Sequence, residues 1–113
     1  MPVTRLHRHW LRHAVLLVLV DAGRVLTVAE IVEELRRRDL APFRTPASRA
    51  VSDAMRWDIR AGRIERVGWG RYVATRPTAG HVAYARRVID DAVLGRGRGW
   101  RVAHANQYAD GEV

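Results

Sequence analysis

The pattern of apolar and polar positions begins with a helical period near the N-terminus. Apolar residues recur at three- and four-residue spacing, which predicts a first helix over residues 5–21 with Thr4 as its N-cap and Gly23 as its C-cap. The second half of this helix, residues 14–20, is apolar on every side. Because a helix at a protein surface keeps one side polar, a further element must cover this half.

A short extended stretch, residues 24–26, separates the first helix from a second one. Thr27 and Glu30 form the signature of a capping box, in which each side chain accepts a hydrogen bond from the other residue's backbone amide. Apolar residues then follow at helical spacing and predict a helix over residues 28–38. Residues 39–44 have no such period, and we expect a loop there.

The third predicted helix covers residues 46–61. Thr45 is its expected N-cap and Pro46 its first helical residue, where a missing backbone amide costs nothing. On a helical wheel one face carries Ala47, Ala50, Val51, Ala54, Trp57 and Ala61. The opposite stripe consists of Arg49, Ser52, Arg56 and Arg60, with Ser48 and Asp53 at its edges.

A β-hairpin follows this helix. Residues 63–67 and 71–75 alternate in polarity and predict two strands. The turn over residues 68–70 contains two glycines, which allow the positive φ angles of a tight turn. We expect Val67 and Tyr72 to face the core.

Pro77 precedes a fourth predicted helix over residues 78–94, which has its own apolar stripe. This stripe can cover the second side of the first helix, either within one chain or across a two-fold axis, and we favour a homodimer. The expected dimer or packing interface consists of Leu16, Leu19, Val20, Val82, Ala85, Ile89 and Val93. The predicted organisation is a domain over residues 1–76, a packing or dimerisation helix over 77–94, and a flexible basic and polar tail over 95–113.

The order of these elements is α+β and predicts a winged helix-turn-helix: a three-helix core plus a β-hairpin wing, with an extra C-terminal helix. The sequence "LTVAEIVEELRRRDL…RTPASRAVSDAMRWDIRAGRIERVGWGRYVA" resembles the winged-helix domains of prokaryotic regulators. It is most similar to the HARE-HTH type and to the N-terminal winged helices of abortive-infection antitoxins, over about residues 12–75. The resemblance implies duplex DNA binding, with the helix over 46–61 in the major groove and the wing over 63–75 on the backbone or minor groove.

The charge of the chain supports a nucleic-acid partner. The formal net charge is +8, the sequence pI is about 11.4, and all twenty basic residues are arginine. A GC-rich genome would also favour arginine over lysine, but the net charge is the same whichever of the two basic residues is used. We expect double-stranded DNA as the partner. The longest apolar run, residues 14–20, is far shorter than the ~20 residues that span a bilayer, so we expect a cytoplasmic, nucleoid-associated protein.

Few residues suggest other chemistry. Asp58 lies on the apolar side of the third helix, where a carboxylate requires a partner, and Arg63 or Arg71 is the expected one. His9 and His13 have a spacing that can bind a metal, but no third ligand lies nearby, and we expect a solvated helix face. The chain has no cysteine. We expect no metal, no cofactor, no small-molecule ligand and no enzymatic activity.

The candidate DNA-binding residues fall into three groups, because early residues of a recognition helix approach base edges and later ones meet phosphates. The expected base readers are Ser48, Arg49 and Ser52. The expected phosphate contacts are Arg44, Thr45, Arg56 and Arg60, and Asp53 is expected to orient Arg49 or Arg56. The expected wing contacts are Arg66, Trp69 and Arg71. Alternatively, the Trp69 indole folds back onto its own strands or onto Trp57.

The sequence therefore predicts a small regulator of bacterial or phage type that binds specific duplex DNA sites. Two alternatives stay open: a winged-helix module whose basic face binds an acidic protein, and a non-specific architectural DNA binder. A charged stripe is also what any solvated helix face carries.

Overall fold

The structure, a computed structural model, describes residues 3–95 and is an α+β fold. Its elements are β1 (Thr4–Leu6), α1 (Arg8–Ala22), β2 (Leu26–Thr27), α2 (Val28–Arg37), β3 (Leu40–Pro42), α3 (Ala47–Ala54), α4 (Arg56–Arg60), β4 (Ile64–Gly68), β5 (Arg71–Ala74) and α5 (Ala79–Leu94). Beyond Gly95, the predicted tail over residues 95–113 lies outside the described residues.

Helix α1 is the centre of the core. Its Val15, Leu16 and Leu19 side chains are fully buried, as the apolar pattern on every side of this helix requires. Helices α2, α3 and α5 all pack against α1, so several elements of the same chain together cover its apolar half. The helix ends at Gly23, whose left-handed φ of 63° allows its amide to donate to the Leu19 carbonyl at 3.1 Å.

The N-terminal segment forms a strand, which corrects the predicted start of the first helix. β1 pairs in parallel with β3, with Thr4 opposite Leu40. The Thr4 amide donates to the Asp39 carbonyl at 2.8 Å, so Thr4 belongs to the ladder and does not cap a helix. Helix α1 begins at Arg8 instead of residue 5, and the predicted loop over residues 39–44 contains β3.

The second sheet is antiparallel, with the strand order β2–β5–β4. Leu26 of β2 lies opposite Tyr72 of β5, and both side chains are buried, so the short stretch before the second helix does form an edge strand. Thr27 then caps α2. Its Oγ1 accepts from the Glu30 amide at 3.1 Å, and Glu30 Oε1 accepts from the Thr27 amide at 2.8 Å, which confirms the capping box.

The predicted third helix is two helices, α3 and α4, separated by the fully buried Met55. The buried face consists of Ala50, Val51, Ala54, Met55 and Asp58, so Asp58 faces the core as expected, whereas Trp57 lies at the edge of this face and is 56% exposed. The prediction that Trp57 lies on the apolar face was therefore wrong. At the start of α3, Pro46 occupies the N-cap position without a capping side chain, so Thr45 is not the cap that we predicted.

An ion-pair cluster holds α5 against α1. Arg86 of α5 donates to both carboxylate oxygens of Asp21, at 2.5 and 3.3 Å, and Arg38 lies 3.2 Å from the same carboxylate. The hydrogen bond from Arg86 holds the pKa of Asp21 below its usual value. At the N-terminal end of α5, the Thr78 side chain accepts a hydrogen bond from the His81 amide at 3.1 Å.

None of the helices within residues 3–95 has the length and apolar content that crossing a bilayer demands.

Candidate nucleic-acid interface

Three of the predicted DNA-binding arginines meet at one carboxylate on α3. The carboxylate oxygens of Asp53 lie 3.3 Å from Arg44 Nη2 and 3.8 Å from Arg49 Nε. Arg56 Nη2 lies 3.6 Å from the same group. The Asp53 side chain is 17% exposed, whereas the side chains of the three arginines are 57%, 72% and 76% exposed. We call this group the arginine cluster; Asp53 holds Arg49 and Arg56, as expected, and also Arg44.

The position of each residue along the chain explains the arginine cluster. Arg49 precedes Asp53 by one helical turn and Arg56 follows it by nearly one turn, so both guanidiniums reach the same side of the helix. Arg44 comes from the segment before α3. Exposed ion pairs of this length contribute little stability, so a phosphate can compete with Asp53 for these guanidiniums. Three guanidiniums and one carboxylate leave an excess of positive charge at the surface.

The other residues predicted on this helix lie beside the arginine cluster or beyond it. Ser48 and Thr45 are exposed, and Ser52 is half-buried. Arg60 lies on α4, where it borders the Trp57 indole together with Ala61. The structure therefore places Arg60 in a different local environment from the arginine cluster.

The hairpin presents its own pairing of arginine and tryptophan. The Trp69 side chain is 91% exposed, and the Arg66 guanidinium carbon lies 4.8 Å from the centre of the indole. Arg66 Nε also donates to the Gly68 carbonyl at 3.3 Å. The turn needs a glycine at Gly70, where φ is 63°. Trp69 does not fold back into the core.

The two strands of the hairpin agree only in part with the predicted orientation of their side chains. Tyr72 is buried, as expected, whereas Val67 is 47% exposed. The strand register shifts between Arg66 and Gly68, so Val67 lies in an irregularity of the ladder and turns away from the core. The prediction for Val67 was wrong for that reason. Arg71 is exposed and lies opposite Thr27 in the sheet.

Asp58 is the buried acid of the domain's core. Arg63 Nε donates to its carboxylate at 2.6 Å, which confirms Arg63 as the partner. Arg12 of α1 lies 3.9 Å from the other carboxylate oxygen, a contact that the sequence pattern did not reveal. The guanidinium carbon of Arg12 also lies 5.6 Å from the centre of the Trp57 ring. Arg12 is thus the residue that links the buried acid to the exposed indole.

His13 is buried, which corrects the expected solvated face. Its ring lies 5.6 Å from that of Tyr84 on α5, in an edge-to-face arrangement. Burial lowers the pKa of His13 to about 4, helped by the charges of Arg12 and His9. The charge of Asp58 raises the pKa of His13, and the charge of His81 lowers it.

Among residues 3–95 no group of three potential metal ligands has an arrangement that could hold a metal ion.

The fourth-helix residues of the predicted packing or dimer set lie on α5 of the same chain, but α1 faces α5 with His13, Ala14, Leu17 and Asp21 and not with the predicted Leu16, Leu19 and Val20. Leu16, Leu19 and Ala85 are fully buried, and Ile89 is nearly so. The half-buried members of this set are Val20 and Val82. Val93 is 46% exposed. It borders a cavity of about 410 Å³ between the two helices.

Comparison of the chain with protein-family models, with curated proteins and with solved structures found no match. The geometry of the described residues is therefore the basis on which a function can be argued.

Proposed function

We propose that this chain binds duplex DNA as a winged helix-turn-helix domain and acts as a small transcriptional regulator of bacterial or phage type. The observation that carries the proposal is the arginine cluster. Three exposed guanidiniums, one before α3, one on it and one just after it, are paired with one carboxylate of α3, and such a group matches the negative charge of a DNA backbone.

In this proposal α3 enters the major groove. Its early residues Ser48 and Arg49 approach base edges, and a guanidinium can donate two hydrogen bonds to one guanine. Arg44 and Arg56 contact phosphates on either side. In the free protein Asp53 pairs with these guanidiniums, and a phosphate has to displace its carboxylate from them.

The hairpin is proposed as the wing. Its exposed Trp69 indole and the Arg66 guanidinium beside it present an apolar surface and a positive charge on one small tip. Sugars and the minor-groove floor accept such a combination. Arg71 adds positive charge at the start of the second strand.

The first experiment measures the affinity for random duplex DNA as a function of salt. If about five arginines contact phosphates, the logarithm of the association constant should fall with the logarithm of the salt concentration at a slope of about −4 to −5. A slope flatter than about −1, or no binding at micromolar protein, would contradict the proposal.

The second experiment tests the arginine cluster itself. Asp53→Asn frees three guanidiniums from their shared partner, so affinity for random duplex should rise and the salt dependence should steepen. Glu33→Gln is the control, because it makes the same change of charge on α2, where Glu33 is paired with Arg36 and Arg37. A weaker binding by Asp53→Asn, with an unchanged melting temperature, would contradict the assigned role of Asp53.

Two other functions could use the same basic surface. A module for an acidic protein partner would bind heparin and random duplex with similar salt dependence and no preference for DNA. An architectural binder would prefer duplex but would enrich no consensus when random sequences are selected. Enrichment of a consensus site is the outcome expected of a regulator.

A further inference from the structure

Trp57 is a large apolar side chain that the fold leaves in solvent. It is 56% exposed, although it lies on α4 beside residues that are fully buried. Trp10, by comparison, is 7% exposed and belongs to the core. An exposed indole in a fixed position is typical of a binding surface.

The Trp57 ring is held by a chain of charged contacts that ends in the core. The Arg12 guanidinium packs on the ring at 5.6 Å from its centre. Arg12 Nε in turn lies 3.9 Å from the carboxylate of Asp58, which is 1% exposed and bound by Arg63. The guanidinium therefore lies between the indole and a buried acid, and one side of the ring is packed before any ligand arrives.

The exposed part of the indole borders a shallow cavity of about 180 Å³, which is lined by Trp57, Arg60 and Ala61. The methyl group of Ala61 and the ring make an apolar surface, and Arg60 supplies a positive charge at its border. This combination suits a ligand that has a flat apolar ring and carries a negatively charged group next to that ring.

We propose that Trp57 is a stacking platform for one unpaired base of a single-stranded nucleic acid, with Arg60 on the adjoining phosphate. A nucleotide supplies both a flat π surface and a phosphate, and stacking of a base on an aromatic side chain does not depend on base identity. The inference goes beyond duplex binding by the arginine cluster and does not depend on it.

The chemistry of the surroundings favours a nucleotide over other ligands. Arg12 and Arg60 put positive charge near the indole, which disfavours a cationic ligand at the same ring. The net charge of +8 attracts a polyanion to the whole molecule. An aromatic side chain of an acidic protein would meet the same surface, and the test below separates the two.

The test uses the full chain and two labelled oligomers of equal length, oligothymidylate and an oligomer of abasic sites. Both carry the same phosphate charge, so that a difference in affinity reports contacts with bases. We expect the wild type to bind oligothymidylate about 10-fold or more tightly than the abasic oligomer. Equal affinity of the wild type for both oligomers would overturn the inference.

Variants then assign the preference to a residue. Trp57→Ala should lose the preference for bases, Trp57→Phe should keep most of it, and Arg60→Ala should weaken both oligomers equally. Trp69→Ala removes the exposed indole of the proposed wing; it should lower the affinity for both oligomers and leave the ratio of the two affinities unchanged. If Trp57→Ala keeps the preference, or if Trp69→Ala alone abolishes it, the assignment to Trp57 is wrong.

The salt-dependent binding of duplex is measured on the same proteins. If the wild type binds duplex with the expected salt dependence but shows no preference for bases, only the inference for Trp57 is overturned. A base preference without duplex binding would overturn only the proposed function. Melting temperatures of all variants show whether each of them is folded.

Discussion

Arg63 and Asp58 are joined twice, once through their side chains and once through their backbones. Arg63 Nε donates to the Asp58 carboxylate at 2.6 Å, and the Arg63 amide donates to the Asp58 carbonyl at 2.8 Å. Since Asp58 lies in α4 and Arg63 directly precedes β4, this pair fixes the direction in which the hairpin leaves the helix. The position of the Trp69 tip relative to the rest of the domain depends on it.

The first prediction concerns this pair. Asp58→Asn should destabilise the domain by about 3–5 kcal/mol, because Arg63 and Arg12 would lose the buried charge that compensates them. Urea unfolding of the variant would measure the change. Glu65→Gln, which alters an exposed acid on β4, is the control and should change the free energy of unfolding by less than about 0.5 kcal/mol. Equal stability of the two variants would mean that the buried pair contributes nothing.

Sequence reasoning found the local parts of this arrangement and missed the distant ones. The capping box joins Thr27 and Glu30, which are close in the chain, so their spacing predicts it. For Asp58 the sequence left Arg63 and Arg71 open, and the structure selects Arg63. β1 and β3 are three-residue strands whose pairing depends on segments far apart in sequence. Such short strands have no periodicity of their own, and Thr4 was therefore assigned to a helix.

In the candidate interface, too, the sequence predicted contacts within one helix and missed contacts between elements. The helical wheel brings Arg49 and Arg56 to one side, and both do meet at Asp53. The exposure of Trp57 was missed because the predicted apolar face was centred too close to Trp57, whereas the buried face is centred on Val51, Ala54 and Asp58. Arg12 was missed since only the tertiary packing of α1 on α4 brings it to Asp58.

The second prediction separates base contacts from phosphate contacts. Arg49→Ala should cost about 1–3 kcal/mol on a selected site and should relax the sequence preference, because a guanidinium on a base edge discriminates between bases. Arg60→Ala should weaken binding to all duplex sequences by a similar factor. Affinities of both variants for the selected site and for random duplex measure the difference. The same loss of discrimination in both variants would contradict the division.

The third prediction concerns the tip of the hairpin. Trp69→Ala should lower the affinity for duplex DNA and leave the melting temperature almost unchanged, because the indole is 91% exposed. Trp10→Ala provides the contrast, since loss of a buried tryptophan costs about 3–5 kcal/mol. A drop of many degrees in the melting temperature of Trp69→Ala would show that the indole stabilises the fold, and the wing assignment would then be wrong.

The fourth prediction follows from the burial of His13. Its pKa in the folded protein is about 4. In an unfolded chain a histidine has a pKa of about 6.5, so the unfolded state takes up the proton first as the pH falls. The stability that depends on neutral His13 is complete above about pH 6.5 and is lost progressively down to about pH 4. Between about pH 7 and pH 4.5 the free energy of unfolding should fall by about 2–3 kcal/mol.

A non-titrating variant tests whether His13 is the cause. His13→Leu should show a smaller fall in the free energy of unfolding over the same pH interval, measured by urea unfolding at each pH. Asp21, whose pKa is also lowered, loses its contribution only at lower pH and should not affect this comparison. An equal fall in the wild type and in His13→Leu would assign the pH dependence to other groups.

The last prediction concerns self-association. We expected a homodimer because the apolar stripe of the fourth helix needs a partner. In the structure α5 buries Ala85 and Ile89 against α1 of its own chain. A second copy would therefore have to use the part of α5 that stays exposed. The large apolar side chains of that part are Tyr84, 49% exposed, and at the C-terminal end Val93 and Leu94, 46% and 61% exposed, which border the cavity of about 410 Å³.

We therefore predict a homodimer whose interface is the C-terminal end of α5. Two copies joined at this end of α5 would form an isologous contact, and each copy could then bind one half-site of a symmetric DNA site. Sedimentation of the full chain at micromolar concentrations should give a dimer, and Leu94→Glu should give a monomer with an unchanged melting temperature, because Leu94 is exposed within one chain. If the wild type sediments as a monomer, the dimer is wrong, and α5 serves only to cover α1.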